Sequence, residues 1–325
     1  MEKSYRTIPV RVARVDTVTQ LIKRFTLEAA DGGTLPPFTG GSHVIVQMRD
    51  GDQRYSNAYS LMSSPDALRA YQIGVRRETP SKGGSAFLHE RVKEGDLLDI
   101  TTPNNLFALS DDARHHVLIA GGIGITPFMS QMHELGRRGA SHELHYAFRG
   151  PEHGAFSREL EELAGQSSGK VRFYVDSLGQ QLDLGGLFGG LAEGAHVYVC
   201  GPAGLIAAVR KAAQVAGVDP GCVHWEQFAA ATSANDGAFT VVLAKSGKTV
   251  EVGAGESILK AIERDNAVQV ECLCREGVCG TCETRILEGE AEHLDQYLSN
   301  AEKDAQQTMM ICVSRARSGK LVLDL

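Results

Sequence analysis

The sequence has no long apolar run, no basic patch and no hydrophobic leader. None of its apolar stretches approaches the roughly 20 residues that a membrane-spanning helix needs. The formal net charge is −7, and the lysines and arginines do not cluster in the way that favours nucleic acid. Residues 1–15 (MEKSYRTIPVRVARV) lack the apolar core of a signal peptide. We therefore expect a cytoplasmic protein that binds neither membranes nor nucleic acid.

Cysteines are few and unevenly placed. There are seven among 325 residues, and four of them fall between positions 272 and 282. An odd and clustered set argues against a framework of disulfides. It favours a reducing compartment and a metal or redox site.

The composition changes along the chain, and 325 residues are many for a single domain. Residues 1–108 contain short β-rich runs between glycine turns, typical of a small antiparallel barrel. Residues 109–228 alternate strands with helices, which predicts a parallel α/β sheet. Residues 229–238 (AAATSANDGA) have the composition of a linker. Residues 239–325 open with a hairpin pattern, FTVVLAKSGKTVEV, and a short helical pattern, ESILKAIERDN.

The spacing of four cysteines is typical of one kind of metal site. Cys274, Cys279 and Cys282 form C-x4-C-x2-C, and Cys312 follows after twenty-nine residues. This is the plant-type [2Fe–2S] spacing, in which four thiolates hold two irons. Structural zinc prefers paired C-x2–4-C knuckles or Cys/His pairs, and a disulfide conflicts with a reducing compartment. We predict that these four cysteines are the ligands of a [2Fe–2S] cluster.

Three further residues accompany this pattern. Gly277 and Gly280 lie inside the cysteine loop, where glycine lets backbone amides approach the cluster sulfurs. Cys272 lies outside the pattern, because using it in place of Cys274 makes the first gap six residues. We favour a small buried side chain beside the cluster, and a ligand or redox role is the alternative.

Two glycine-containing loops occur in the α/β stretch. AGGIGITP (120–127) follows an apolar strand and opens a helix, and CGPAG (200–204) has the same setting. Amides at such a helix start can hold a pyrophosphate, and α/β sheets bind ligands at the carboxyl ends of their strands. The first loop is not G-x-G-x-x-G, because Pro127 stands where the last glycine would be. Together the two loops favour a dinucleotide site over the alternative of two tight turns.

A nicotinamide and a [2Fe–2S] cluster exchange different numbers of electrons. NADH gives up two as hydride, whereas the cluster accepts one, and a flavin can do both. The predicted barrel offers NAYSL (57–61), with Tyr59 and Ser60, and SKGGS (81–85), a candidate phosphate cradle. Taken alone, these stretches indicate only a strand and a turn. The need for a flavin makes them its candidate site.

These motifs together resemble the phthalate dioxygenase reductase type of the ferredoxin–NADP reductase superfamily. The resemblance rests on AGGIGITP, CGP, the tyrosine–serine strand and the four cysteines, and it covers the whole chain, including the closing LVLDL. It implies an FMN-binding antiparallel β-barrel (1–108) and an NADH-binding α/β domain with a parallel sheet (109–228). After the linker (229–238) it implies a plant-type ferredoxin domain of the α+β, β-grasp class (239–325).

The resemblance also implies roles for individual residues. Those implied at the flavin are Asn57, Tyr59, Ser60, Gly74, Val75, Arg76, Lys82, Gly83, Gly84 and Ser85. Those implied at NADH are Gly121, Gly122, Gly124, Thr126, Cys200, Gly201 and Pro202. Cys200, Thr126 and Phe228 would lie at the hydride-transfer site, and for Cys200 packing at a tight turn is the alternative.

One position departs from the family pattern. The pattern R-x-Y-S reads Asn57-Ala58-Tyr59-Ser60 here, so an arginine that helps to hold the flavin phosphate is absent, and Arg54 or Arg76 is expected to compensate. FMN is expected rather than FAD, because the sequence has no extra aromatic loop for an adenine. NADH is expected rather than NADPH, because residues 149–156 (RGPEHGAF) lack a basic pair for a 2′-phosphate.

The resemblance implies an electron path from NADH through FMN and [2Fe–2S] to a Rieske-type oxygenase, the expected protein partner. Reductases of aromatic-acid dioxygenases and O-demethylases share this architecture and are alternatives. A redox sensor that merely carries a cluster is an alternative of another class, but it would not need both nucleotide loops.

Overall fold

The computed structural model describes residues 7–81, 83–228, 233 and 237–325. Most of the predicted linker and Lys82 therefore lie outside the described residues. The chain divides into two compact units. The N-terminal unit extends to Gln227, apart from residues 56–58, and the C-terminal unit begins at Phe228.

The first part of the N-terminal unit is a curled antiparallel sheet. Its elements are β1 (Thr7–Thr17), β2 (Ile22–Ala29), β3 (His43–Asp50), β4 (Gln53–Ser60), β5 (Ala70–Arg76), α1 (Gly84–Glu90) and β6 (Leu97–Thr101). The strand order is β4-β3-β6-β1-β2-β5. Leu61, just beyond β4, pairs with Ile73 of β5 and brings the two outer strands together. Alternating apolar side chains, such as Phe25 and Leu27 of β2, fill the interior. This is the predicted barrel.

The second part is a five-stranded parallel sheet with helices on its faces. Its strands are β7 (His115–Gly121), β8 (His142–Phe148), β9 (Lys170–Val175), β10 (Ala195–Cys200) and β11 (Val223–Glu226). Its helices are α2 (Thr126–Arg138), α3 (Ser157–Gly165), α4 (Leu184–Gly189) and α5 (Ala203–Val215), with 3₁₀ turns at Gly122–Ile125, Pro151–His153, Asp176–Leu178 and Pro220–Cys222. The order β11-β10-β7-β8-β9 places the ends of β7 and β10 side by side. The predicted parallel sheet is confirmed.

Within this unit a barrel loop meets helix α2 at closely approaching backbone atoms. The Gly40 amide donates to the Glu134 carboxylate at 2.5 Å, and the Gly41 amide donates to the Ser130 hydroxyl at 3.1 Å. Gly41 has a φ of +92°, and a Cβ there would lie 2.2 Å from the Phe107 carbonyl oxygen. Glycine is therefore required at this contact.

The C-terminal unit has its own hydrophobic core and a five-stranded mixed sheet. Its elements are β12 (Phe239–Leu243), β13 (Lys248–Val252), α6 (Ile258–Arg264), β14 (Glu283–Glu288), β15 (Ala291–Glu292), α7 (Asn300–Ala305), β16 (Thr308–Met310), β17 (Arg315–Ala316) and β18 (Lys320–Leu323). The order is β13-β12-β18-β14-β16, with β12 and β18 parallel, and β15 pairs with β17. The predicted hairpin and helix are present as β12–β13 and α6. Within the described residues, no helix combines the length and apolar composition needed to cross a membrane.

Candidate redox site

The cysteine loop lies between α6 and β14 and contains neither helix nor strand. Gly277 and Gly280 have φ values of +72° and +77°, which glycine adopts without strain. A Cβ on Gly277 would lie 2.7 Å from Val313, and one on Gly280 would lie 2.4 Å from the Tyr297 ring. The glycines therefore allow the loop to fold tightly against the chain near Cys312.

This folding gathers the four predicted ligands. Cys274, Cys279 and Cys282 are each 2% exposed and Cys312 is 7% exposed, and all seven cysteines of the chain are free thiols. The Cys274 thiol contacts those of Cys279 and Cys312. Buried thiols that converge in this way match the donor set of an iron–sulfur cluster. The residues present therefore fit a [2Fe–2S] group.

Backbone and hydroxyl groups support the cysteine loop. The Glu276 amide donates to the Cys274 sulfur at 3.4 Å. The Thr281 hydroxyl lies 3.1 Å from the Cys279 sulfur. It also accepts a hydrogen bond from the Leu273 amide at 2.9 Å. Donors of this kind set the reduction potential of a cluster by stabilising charge on sulfur.

Cys272 lies near these thiols rather than apart from them. It is half-buried, and its sulfur lies within 4.8 Å of the sulfurs of Cys282 and Cys312. The structure therefore places five thiols in one region, where the spacing alone indicated four.

The two glycine loops meet at the carboxyl ends of β7 and β10. A Cβ on Gly124 would lie 2.3 Å from the Cys200 carbonyl oxygen, and one on Gly201 would lie 3.0 Å from the Gly121 Cα. Gly122 has a φ of +55°, and the space where its Cβ would stand is open. Two loops in contact beside open space form a cradle that suits a pyrophosphate approaching backbone amides. Pro202 follows Gly201 and directly precedes α5.

Thr126 is the first residue of α2 and lies close to Gly74 of the barrel. Its hydroxyl donates to the Ile123 carbonyl at 3.1 Å. A Cβ on Gly74 of β5 would lie 2.8 Å from the Thr126 methyl carbon. The structure thus brings a candidate flavin strand against the start of the candidate nucleotide helix.

The flavin candidates lie on β4, on β5 and at the start of α1. Ser60, at the end of β4, is 4% exposed, and its hydroxyl has no hydrogen-bond partner among the described residues. Asn57 and Tyr59 precede it and share one face of the strand, because side chains alternate in a strand. A buried hydroxyl without a partner is costly, so Ser60 fits a site whose ligand supplies the missing hydrogen bond.

The remaining flavin candidates have different surroundings. The Val75 side chain is fully buried in the barrel core, and its carbonyl bonds the His89 ring at 2.8 Å. Arg76 is exposed, with Glu78 3.8 Å away. Gly83 has a φ of +112°, and Gly84 and Ser85 open the seven-residue α1. Because Val75 points inward, only its backbone can face a ligand.

Glu226 was not predicted from the sequence. It is the last residue of β11 and lies opposite Cys200, the last residue of β10. The Cys200 thiol donates to the Glu226 carboxylate across 3.9 Å. Burial raises the pKa of Glu226 from 4.5 to about 8, and burial together with the Glu226 carboxylate raises the pKa of Cys200. Phe228 follows two residues later and is 40% exposed.

Two family models match the chain. Residues 241–317 match the 2Fe-2S iron-sulfur cluster binding domain, and residues 118–211 match the oxidoreductase NAD-binding domain. These matches cover the cysteine loop with Cys312 and both glycine loops.

Similar proteins extend over the whole chain. The chain is 53% identical over 325 residues to the carnitine monooxygenase reductase subunit of Acinetobacter baumannii, covering 100% of both. It is 54% identical over 321 residues to the subunit of that name from Escherichia coli, covering 99% of both. The solved phthalate dioxygenase reductase, described as a modular structure for electron transfer from pyridine nucleotides to [2Fe–2S], matches with a TM-score of 0.73 and 35% identity over 98% of each chain. The chain therefore belongs to the family of phthalate dioxygenase reductase-type oxidoreductases, with an antiparallel flavin-type barrel, an NAD-binding domain and a C-terminal 2Fe-2S domain.

Proposed function

We propose that this chain is the NADH-dependent reductase component of a two-component Rieske oxygenase that converts carnitine to trimethylamine. One observation carries the proposal, namely the identity of 53% over the full length of a carnitine monooxygenase reductase subunit. The electron path runs from NADH to FMN, to [2Fe–2S], to the oxygenase. When bound, FMN supplies the exchange between hydride transfer and single-electron transfer.

We further propose how the chain holds NADH. The contacting loops at Gly121–Gly124 and Cys200–Pro202 bind the pyrophosphate through backbone amides, because a side chain at Gly124 would collide with the Cys200 carbonyl. Thr126 fixes the start of α2 through its bond to Ile123. Cys200, Thr126 and Phe228 form the hydride-transfer site, where catalysis consists of positioning the two rings.

We propose that FMN binds along β4 and β5. The Ser60 hydroxyl would donate to the flavin, and Tyr59 and the backbone of residues 74–76 would contact its ring. Asn57 lies beside them in place of the family arginine. Lys82, Gly83, Gly84 and Ser85 would hold the phosphate, the last two of them as the first residues of α1. The exposed Arg76, which pairs with Glu78 at 3.8 Å, would help to hold that phosphate in place of the family arginine.

The proposed organisation assigns residues 1–108 to the flavin, 109–228 to NADH, 229–238 to a linker and 239–325 to the cluster. Cys274, Cys279, Cys282 and Cys312 hold that cluster, and free thiols support a cytoplasmic location. The organic substrate binds to the oxygenase, so this chain needs no carnitine pocket.

Two experiments test the proposal. An anaerobic NADH titration, followed by visible absorption and low-temperature electron paramagnetic resonance (EPR), should bleach the flavin and then produce the rhombic signal of one reduced [2Fe–2S] centre. Bleaching without that signal in iron-replete protein would overturn the electron path.

The partner is tested by reconstitution. The reduced protein is mixed in turn with a carnitine, a phthalate and a vanillate oxygenase component, and substrate-dependent NADH oxidation is measured with product formation. We expect substrate-dependent NADH oxidation with the carnitine oxygenase to be at least about tenfold faster than with either of the other two oxygenases, and to yield trimethylamine. Equal or faster coupling to an aromatic-acid oxygenase would contradict the carnitine assignment and leave the reductase class intact.

A further inference from the structure

Cys272 belongs to a group of three thiols that includes two predicted cluster ligands. The sulfurs of Cys272, Cys282 and Cys312 all lie within 4.8 Å of one another. Neither Cys274 nor Cys279 belongs to this group. The fifth thiol therefore lies on the side of the site occupied by Cys282 and Cys312.

The backbone holds Cys272 in this place. The next residue, Leu273, donates its amide to the Thr281 hydroxyl at 2.9 Å, which ties the segment before Cys274 to the turn that carries Cys282. The Cys272 side chain is half-buried and packs against the core of the C-terminal unit. Its nearness to the ligands thus follows from a fixed loop.

We propose that Cys272 is a reserve ligand of the cluster, able to take the place of Cys282 or Cys312 but not of Cys279. In that exchange the Cys272 thiol gives its proton to water, and its sulfur forms the bond to iron that the missing thiolate would have made. One thiolate replaces another, so the oxidation state of the cluster does not change. The proposal rests on the 2Fe-2S domain and holds whichever oxygenase accepts the electrons.

Iron content in matched variants tests the exchange. The full chain is purified anaerobically as C312A, C282A and C279A, each with and without C272A. We expect C312A and C282A to keep about half or more of the wild-type iron, and the added C272A to lower it at least about fivefold. C279A is the matched control, because adding C272A there should change nothing. Loss of folding in one of C312A and C282A leaves the other to decide the question.

Native alkylation followed by mass spectrometry identifies the ligand directly. Cys272 should react in the wild-type protein and become protected in iron-containing C312A, with an altered EPR spectrum. Cys222 of the N-terminal unit is the internal reference for thiol reactivity.

Three outcomes would overturn the proposal. In the first, C312A and C282A lose iron as completely as their C272A doubles while circular dichroism shows a folded protein. In the second, Cys272 stays reactive in C312A that retains iron. In the third, C272A alone loses its cluster, which would make Cys272 an obligatory ligand rather than a reserve.

Discussion

Gly124 has no room for a side chain at the contact between the two nucleotide loops. Its missing Cβ would stand 2.3 Å from the Cys200 carbonyl oxygen, so Gly124→Ala must push the loops apart. Overpacking of this kind costs about 1–3 kcal/mol. We expect the KM for NADH to rise about tenfold in G124A, measured by anaerobic flavin reduction at varied NADH.

Gly165→Ala is the control for this prediction. Gly165 ends α3, and its Cβ would meet nothing within 4 Å, so the KM should stay at the wild-type value. A G124A protein with unchanged KM would show that the contact between the loops does not shape the NADH site.

Glu226 makes folding less favourable as the pH rises. Its pKa is about 8 in the folded protein, against 4.5 as the ordinary value. Between these two values the unfolded chain releases a proton that the folded chain keeps, so the free energy of unfolding falls as the pH rises. The loss is of the order of a few kcal/mol across the window.

Glu226→Gln removes this titration. From pH 5 to pH 8 the free energy of unfolding should therefore fall more in the wild type than in E226Q. Urea denaturation of both proteins at a series of pH values measures this difference. Parallel pH profiles for the two proteins would show that the Glu226 carboxyl titrates normally.

At the scale of the elements, the parallel sheet holds two histidines on the strands that flank β10. His116 of β7 is 2% exposed and faces Tyr198, and His224 of β11 stacks on the same tyrosine. Burial lowers the pKa of both histidines to about 4. Their contribution to stability is therefore complete above about pH 6.5 and is lost as the pH falls toward 4, because the unfolded chain binds the protons first.

The variant His116→Phe should weaken this acid sensitivity. Each titrating group contributes up to about 1.4 kcal/mol of stability per pH unit inside its window, so the slope between pH 6 and pH 4.5 should be smaller in H116F. Val117→Ala, a fully buried neighbour in β7, should lower stability by about 1–3 kcal/mol at every pH and leave the slope unchanged. An unchanged slope in H116F would contradict the prediction.

The contact between the barrel loop and α2 depends on Gly41. A Cβ there would overlap the Phe107 carbonyl, and φ is +92°. Gly32 also has a positive φ, +77°, but faces open space. Thermal unfolding should therefore show Gly41→Ala to be at least about 1–3 kcal/mol less stable than Gly32→Ala. Both variants are destabilised by backbone strain, and only Gly41→Ala is also destabilised by the steric overlap. Equal losses would mean that the loop shifts without cost.

Long periodic elements could be predicted from the sequence, and short ones could not. The segments SRELEELAG and AGLIAAVRKAAQV form α3 and α5, and each is long enough for an apolar stripe at helical spacing to be visible. The two-residue strands β15 and β17 carry no such pattern. The SKGGS stretch taken alone indicates a turn, whereas Gly84 and Ser85 already belong to α1.

The candidate site shows the same division. The spacing alone indicates the four predicted ligands, because three of them lie on one loop and the fourth follows at a fixed distance. The pairing of Cys200 with Glu226 depends on the alignment of the neighbouring strands β10 and β11. A local sequence pattern does not predict which strands become neighbours. A position of Cys272 beside the cluster was predicted, whereas its grouping with Cys282 and Cys312 in particular depends on how the loop closes.

At the scale of the whole molecule, the two units have separate hydrophobic cores. Among the residues that the structure describes, the core of the C-terminal unit consists of residues from Phe239 onward. We predict that a chain ending at Gly237 still folds and oxidises NADH with ferricyanide at about the wild-type rate, and that it no longer reduces an oxygenase. Stopped-flow absorption with each acceptor measures this. Transfer to the oxygenase by the shortened chain would show that the cluster is not on the path.

The last strand of the chain lies in the middle of a sheet. β18 (Lys320–Leu323) stands between β12 and β14, so the C-terminal sheet has a gap at its centre until residue 323 has left the ribosome. The N-terminal unit contains no strand beyond Glu226 and can fold while the rest is being made. During synthesis, the protein therefore acquires its nucleotide-binding half first. The sheet that supports the cysteine loop is complete only after the final strand has been translated.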